Sequence, residues 1–572
     1  MPIQSAPLNL LTFTQRWVPQ PPGPPDPFLS VHVLVIPKGD PTASFNGAAT
    51  PFADANLAFE AAIVPSLASL PTPGTVSQRV PLTIVSPANR RRLLESLGRL
   101  FKIRPQAPPP PPGPAITVKK FLTPSYREAT RFASPRTRFA VIDDSYECAL
   151  RDSKPASKPP DVPDDRVLWE EVLAFALRQP VLAREIGLLY ETRLPLPDPN
   201  PFAAGGYLFV DLSAASAYHA EITIQPALLA RYAARIPALA GITKERPIFT
   251  SVLFPVTGAG NFDNVFVEAE EYDDGFGRIV HGAQPQRATQ VDRDVEPLRP
   301  GEVAPPNDAG IRLGWDDEQV AIWHNRQLGV NAYDAGLPSP DSPLGVAGFR
   351  VDVREDKPGE NWHSLVHVTG PLTLEGFPLG VFDGELNVEA VPVNLTFKET
   401  DGFWLPSYFT SWTGGSLVLV DPVRYRIANQ PGAVPPSLYT PVGADFVKLR
   451  YGHTYQFRVR LADLTGGGPL VADAPARIAP APVATVPFRR FVPPKAISIE
   501  AGGGVGAGGT TAAYTVHRPL LGYPDLLFTD SPNAVNLLLA EAPPASAASR
   551  ETALPDPDAT QLEIEVQVRT LQ

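Results

Sequence analysis

Leu449-Arg450-Tyr451-Gly452-His453-Thr454-Tyr455-Gln456-Phe457-Arg458-Val459-Arg460 is the stretch whose reading decides the fold class. Apolar and polar residues alternate from Tyr455 onward, and a period of two places Phe457 and Val459 on the inward face of a β-strand. The composition points the same way. The chain has 572 residues, and its 70 prolines are about 12% of them. Proline lacks a backbone donor and clashes inside helices, so long helices must be few and an all-helical bundle is excluded. Proline and glycine together are about 20% of the chain, below the roughly 25–30% of low-complexity sequences. With 43% hydrophobic and 19% charged residues, a core can form. The expected class is mostly β and multidomain, with antiparallel β-sandwich modules and a small α+β portion near residues 87–240.

Working outward, the N-terminal region 1–104 reads as a β-rich domain. Leu29 to Ile36, Leu57 to Val64 and Val80 to Val85 are short apolar segments separated by proline and glycine. A helix then starts near Pro87 and carries Leu93, Leu94, Leu97, Leu100 and Phe101 at helical spacing. Its Arg90, Arg91, Arg92, Arg99 and Lys102 are expected to form a solvated face. Residues 105–114 include Pro108 to Pro112 and read as a stiff linker.

Residues 115–300 read as an α+β domain. A helical face runs through Val167, Leu168, Val172, Phe175 and Ala176, and Pro180 opens a second helical piece. Strand candidates follow at Tyr207 to Leu212, Ala220 to Ile224, Ile248 to Val256 and Asn264 to Glu271, with a short helix around Pro226 to Arg235. The final segment, 495–572, is expected to be β, ending in a strand through Leu562, Ile564, Val566 and Val568.

Residues 301–494 carry one resemblance. Ile311-Arg312-Leu313-Gly314-Trp315 resembles the second strand of a fibronectin type III sandwich, with its buried tryptophan. Gly348-Phe349-Arg350-Val351-Asp352-Val353-Arg354 resembles the third, and the stretch around Tyr455 resembles the tyrosine-corner strand. The resemblance implies that the Tyr455 hydroxyl bonds back to upstream backbone. It also implies a spacer or binding module, since that family has no common catalytic site. About 90 residues separate the third strand from the corner, which implies an inserted β subdomain at roughly 371–440.

A formal charge of −11 repels a phosphate backbone, so nucleic acid is not an expected partner. A single cysteine, Cys148, forbids an intrachain disulfide. Without a secretory signal at the N-terminus or an apolar run long enough to span a bilayer, the expected location is cytoplasmic.

Three groups of residues are candidates for a site. Glu268, Glu270, Asp273 and Asp274 precede a Gly275-Phe276-Gly277 turn and can present oxygens to calcium, although the EF-hand spacing is missing and a solvated hairpin is the plainer reading. Trp404, Tyr408 and Trp412, together with Trp362, Phe403 and Phe409, can form a sugar-stacking or protein-binding patch, with core aromatics of the inserted sheet as the competing reading. Asp316-Asp317-Glu318 near Trp323 and His324 offer carboxylates of the kind sugar hydrolysis uses. His363 and His367 lie on one face of a stretch that alternates like a strand, too far apart to chelate through adjacent turns. No convergent reactive set emerges. The expectation is therefore a non-catalytic scaffold or binding protein acting through protein partners or self-assembly, with no cofactor other than possible calcium. A carbohydrate-binding or carbohydrate-cleaving protein is the alternative, and a calcium-stabilised adhesion module the weaker one.

Overall fold

The computed structural model describes residues 8–20, 26–37, 51–64, 79–100, 172, 175–200, 203–220, 231–255, 272–284, 310–316, 345–389, 393–394, 404–405, 409–412, 414–419, 438–442, 447–450, 452–476, 483–488, 497–501, 514–522, 553–555, 559 and 561–565. Over these residues the chain is mostly β, arranged in several sheets.

The first sheet has nine strands: β1 (Leu8–Val18), β2 (Phe28–Pro37), β3 (Phe59–Val64), β4 (Arg79–Leu82), β5 (Leu189–Pro195), β6 (Gly206–Leu212), β7 (Arg231–Ile236), β8 (Arg246–Pro247) and β9 (Leu253–Pro255). Their order is β4-β3-β6-β7-β1-β2-β5, with β8 paired to β1 and β9 to β7. Helices α1 (Arg90–Leu100) and α2 (Pro180–Glu185) cover it, and Leu93, Leu94, Leu97, Leu182 and Ala183 join the core formed by Leu29, Val31 and Val33. The sheet takes strands from both sides of residues 105–114, so the regions read as separate domains, 1–104 and 115–300, share one sheet. The linker residues themselves lie outside the described residues.

Two local expectations give way here. The helix expected around Pro226 to Arg235 is replaced over Arg231–Ile236 by β7, which pairs with β1, β6 and β9. Ala233 and Ala234 are both fully buried, and pairing on both edges outweighs the strong intrinsic helix preference of alanine. Of the α1 arginines, Arg91, Arg92 and Arg99 are exposed, as a solvated face requires, and Lys102 lies outside the described residues; Arg90 alone departs from it. Arg90 is buried and donates to Ala55 O at 2.7 Å and Tyr190 Oη at 2.6 Å. Arg92 stacks 4.2 Å from the Phe377 ring, and Arg99 donates to Glu375 at 2.6 Å.

The second sheet has eight strands: β10 (Phe276–Ala283), β11 (Ile311–Asp316), β12 (Val346–Glu355), β13 (His363–Ser364), β16 (Val388–Glu389), β19 (Phe409–Trp412), β21 (Thr454–Asp463) and β22 (Val483–Pro487). Strands β11–β19 and β12–β21–β22 form two layers, joined by β10. Its Phe276 and Gly277 pair with β21, while Arg278 to Ala283 pair with β11. Aromatic rings fill the space between the layers: Trp315 lies 4.8 Å from Phe349, and Trp412 lies 5.9 Å from Tyr455 and 5.5 Å from Phe457. The Tyr455 hydroxyl accepts from Arg450 N at 2.7 Å and donates to Lys448 O at 2.8 Å, the back bond expected of a tyrosine corner.

Between β13 and β21 the chain builds a small sheet of β14 (His367–Leu374), β15 (Phe377–Glu385) and β20 (Thr440–Pro441), ordered β15-β14-β20. A further pair, β17 (Val393–Asn394) with β18 (Trp404–Leu405), lies in the same stretch. The tip of the β14–β15 hairpin reaches α1 through the Glu375 and Phe377 contacts. Two ribbons follow: β23 (Ser498–Ala501) with β24 (Tyr514–His517), and β25 (Leu520–Gly522) with β26 (Ala553–Pro555). Of the expected terminal strand, 561–565 is described. It has no strand partner there, and Leu562 and Ile564 are exposed. Without a neighbour to complete a ladder, an alternating sequence does not become a strand.

Candidate cleft at the junction of the two sheets

Strands β12 and β21 pair with Arg350 opposite Arg460 and Asp352 opposite Arg458. Alternation sends Phe349, Val351, Phe457 and Val459 into the sandwich core and these four charged residues to the other face. That face is covered by the chain following β21, so its charges are buried too. Arg460 donates to Asp352 at 2.6 and 2.8 Å and to Glu385 at 2.9 Å, and Arg458 donates to Asp352 at 2.8 Å. Backbone carbonyls of Pro469 and Asp473 accept from Arg460 and Arg458 respectively. Arg350 reaches Asn387 at 3.0 Å and Glu385 at 3.4 Å.

Charge-assisted bonds are what make such burial tolerable. Burial alone would raise the Glu385 carboxyl, but the charges of Arg350 and Arg460, with bonds from Arg460 and Ser364, pull it down to about 2. Burial lowers Arg350, the compensation from Glu385 being incomplete. For Arg460, Asp352 and Glu385 more than offset burial and raise it.

Above this lattice lies a cleft of about 680 Å³, where the first sheet, the sandwich and the small sheet meet. Its first wall is His32 of β2 with Pro180, Val181 and Arg184 of α2, and its second is β15 from Val381 to Glu385. Leu470, Val471 and Ala472 form an apolar lip. The ionisable groups are already engaged: Arg184 donates to Glu191 at 2.7 Å, and His367 Nε2 lies 2.8 Å from Asp383. The Thr465 hydroxyl has one proton and gives it to Asp463 at 2.6 Å, so at 2.7 Å it accepts from His32 Nδ1. His32 therefore carries a proton on Nδ1. Burial pushes its pKa down, with nearby Asp463 and Glu191 opposing and Arg184 adding to the shift.

The residues singled out from sequence are distributed differently. Asp274 is buried and accepts from Phe276 N at 3.1 Å and Ala476 N at 2.9 Å, so both its oxygens hold backbone. Asp273 is buried near Arg246, 3.7 Å away. Both belong to a packed corner and not to a solvated hairpin. Glu268 and Glu270 lie outside the described residues. Among the described residues no group of three or more histidine, cysteine or acidic side chains is placed to hold a metal ion. Trp412 is 1% exposed and its indole N–H donates to Gly415 O at 2.8 Å, which makes it a core side chain and not an open platform. Trp404 lies in β18, while Tyr408, Asp317, Glu318, Trp323, His324 and Cys148 lie outside the described residues. Trp362 meets Arg354 at 4.4 Å and Arg458 at 4.5 Å. His363 and His367 both line the cleft, on different strands.

Sequence reasoning passed over the buried lattice and His32. The available signal was the i, i+2 run of charges in Arg350-x-Asp352 and Arg458-x-Arg460, which ordinarily marks a wet face. Comparison with known protein families, with curated proteins and with solved structures finds no match to this chain.

Proposed function

We propose that this chain is a non-catalytic multidomain binding or scaffold protein that acts through protein–protein contacts in a larger assembly. The observation that carries the reading is the junction cleft. Its ionisable groups are held by partners within the chain, whereas Leu470 of its apolar lip and Val381 are exposed to a visitor. Such a surface favours recognition by shape over proton transfer.

Support also comes from the β23–β24 ribbon, where Ile499 pairs with Val516 and Ile497, Ile499, Tyr514 and Val516 are all exposed. A two-stranded ribbon is marginal by itself, and an exposed apolar face of this kind is characteristic of interaction sites. The fibronectin type III resemblance is favoured by the pairing of β11 with β19, of β12 with β21 and of β21 with β22, together with the Tyr455 back bonds. It adds the expectation of a spacer or recognition module.

The test is native mass by light scattering on untagged protein, with copurifying species identified by mass spectrometry. A defined complex with another protein or with itself is expected. A strict monomer that binds a glycan array would overturn the reading in favour of the carbohydrate alternative.

A further inference from the structure

The β23–β24 ribbon is bare on one face. Ile499 lies opposite Val516, alternation puts Tyr514 on the same side, and Ile497 stands two residues before Ile499. Their exposure runs from 36% at Val516 to 64% at Tyr514. Neither strand pairs with any other described strand. Two strands alone are marginal in water, and a third strand sharing an apolar face is what such a ribbon needs.

The same chain carries a segment of the matching pattern. Leu562 and Ile564 alternate with Glu563 and Glu565, and all four are exposed. In the sequence the period continues through Val566 and Val568. Among the described residues this segment has no strand partner. Ribbon and segment are thus both bare in the same molecule, and neither covers the other there. A second copy brings each the surface that fits it.

Topology places the two side by side. β25 begins three residues after β24 ends, and Pro555, the last residue of β26, lies opposite Leu520, the first of β25. The segment therefore follows a strand that ends close to the ribbon. Two copies related by a twofold axis each present a donor beside an acceptor, so exchange is reciprocal and closes at two. Ile497, Ile499, Tyr514, Val516, Leu562 and Ile564, with about 100 Å² bare on each, offer on the order of 600 Å² per copy. Strand backbone and rim add to this, approaching the roughly 800 Å² per partner of a stable interface.

We propose that the partner this surface fits is a second copy of the chain: residues 562–565 of each copy add as a third strand to the β23–β24 ribbon of the other. Leu562 and Ile564 then extend the apolar face formed by Ile499, Tyr514 and Val516. The inference rests on the protein-binding reading above and names the partner.

The test is light scattering on the full chain over about a hundredfold range of concentration. A dimer that dissociates on dilution is expected. Ile564→Lys damages the donor and Ile499→Glu the acceptor; both residues are exposed, so folding is spared. Each variant should raise the dimer dissociation constant about a hundredfold, tenfold at each of the two exchanges, while Glu563→Gln on the other side of the segment stays within about twofold. Mixing the two variants restores one intact exchange and sets Lys against Glu in the other, so the mixture should dimerise about tenfold more tightly than either alone. A dimer indifferent to both substitutions, or a mixture no tighter than its parts, overturns the proposal. So does a monomer that binds an apolar dye only after Ile564→Lys, since its ribbon is then covered by its own segment. If the chain stays monomeric but another protein copurifies with it, the exchange fails while the protein-binding reading stands. If neither dimer nor complex is found, both fail.

Discussion

Replacing Asp352 with Asn should destabilise the sandwich more than any surface change. Asp352 is fully buried and accepts three bonds of 2.6 to 2.8 Å from Arg458 and Arg460. Asparagine keeps the volume, loses the charge and turns an N–H₂ toward guanidinium donors. Each bond to a charged group is worth about 1.5–3 kcal/mol, but the three do not add, because Glu385 continues to neutralise Arg460. Stranding one side of a buried pair costs about 3–5 kcal/mol, and that is the expected loss. Adding Arg458→Met should recover part of it, since among the described residues Asp352 is the only carboxylate to which Arg458 donates, and the second change removes the charge that the first left stranded. The assay is urea denaturation followed by tryptophan fluorescence, with the midpoint shift read at unchanged slope. A loss below about 1 kcal/mol, the range of an exposed ion pair, would refute the picture of a dry, mutually dependent lattice.

Tyr455→Phe leaves Arg450 N–H and Lys448 O without their shared partner and should cost about 1–3 kcal/mol by the same denaturation measurement, whereas a neutral effect would remove the corner from the account. Trp412→Ala should cost about 3–5 kcal/mol as a core cavity; a fully stable variant that lost only ligand binding would return Trp412 to the list of recognition residues. His32 gives a pH signature. Its pKa is lowered in the folded chain, where Asp463, Glu191 and Arg184 face it, so the unfolded chain takes up the proton first. Stability should be level above the ordinary value of 6.5 and fall as the pH drops below it. His32→Gln should flatten that slope. Glu385 acts in a separate window: with its pKa pulled from 4.5 to about 2, its contribution is complete above 4.5 and is lost toward pH 2. An unchanged midpoint-versus-pH curve in His32→Gln would rule out the histidine.

The apolar segments that form β2, β3 and β6 were legible in the sequence as strands, and so were β11 with its Trp315, β12 and β21 of the sandwich. Tyr455 even announced its hydrogen bonds. What stayed hidden was burial on both faces. β1 mixes Leu10, Leu11 and Phe13 with Thr12, Thr14 and Gln15, all buried, so no alternation marks it as the strand between β7 and β2. Its polar groups are silent in the sequence because their partners are far away: Thr14 meets Thr250, and Gln15 meets Asp463. The charged lattice was misread for a related reason. Charges at i, i+2 look solvated until a distant segment is known to cover them, and the cover over Arg458 and Arg460 includes Glu385 from an inserted sheet. Candidate sites chosen by acidic or aromatic density accordingly included packing residues, such as Asp274 and Trp412.

The order of the first sheet has a consequence for how the chain is made. Leu10 of β1 pairs with Arg231 of β7, some 220 residues later. At about 5–20 residues per second on the ribosome, the β1–β2 hairpin waits roughly 10 to 45 s before its other neighbour exists. Throughout that interval Leu10, Leu11 and Phe13 sit on an unfinished edge, the kind of surface that recruits chaperones or pairs with the wrong chain. Birth of this protein is therefore governed by sequence distance: a hairpin made early is safe only once a strand made late has arrived.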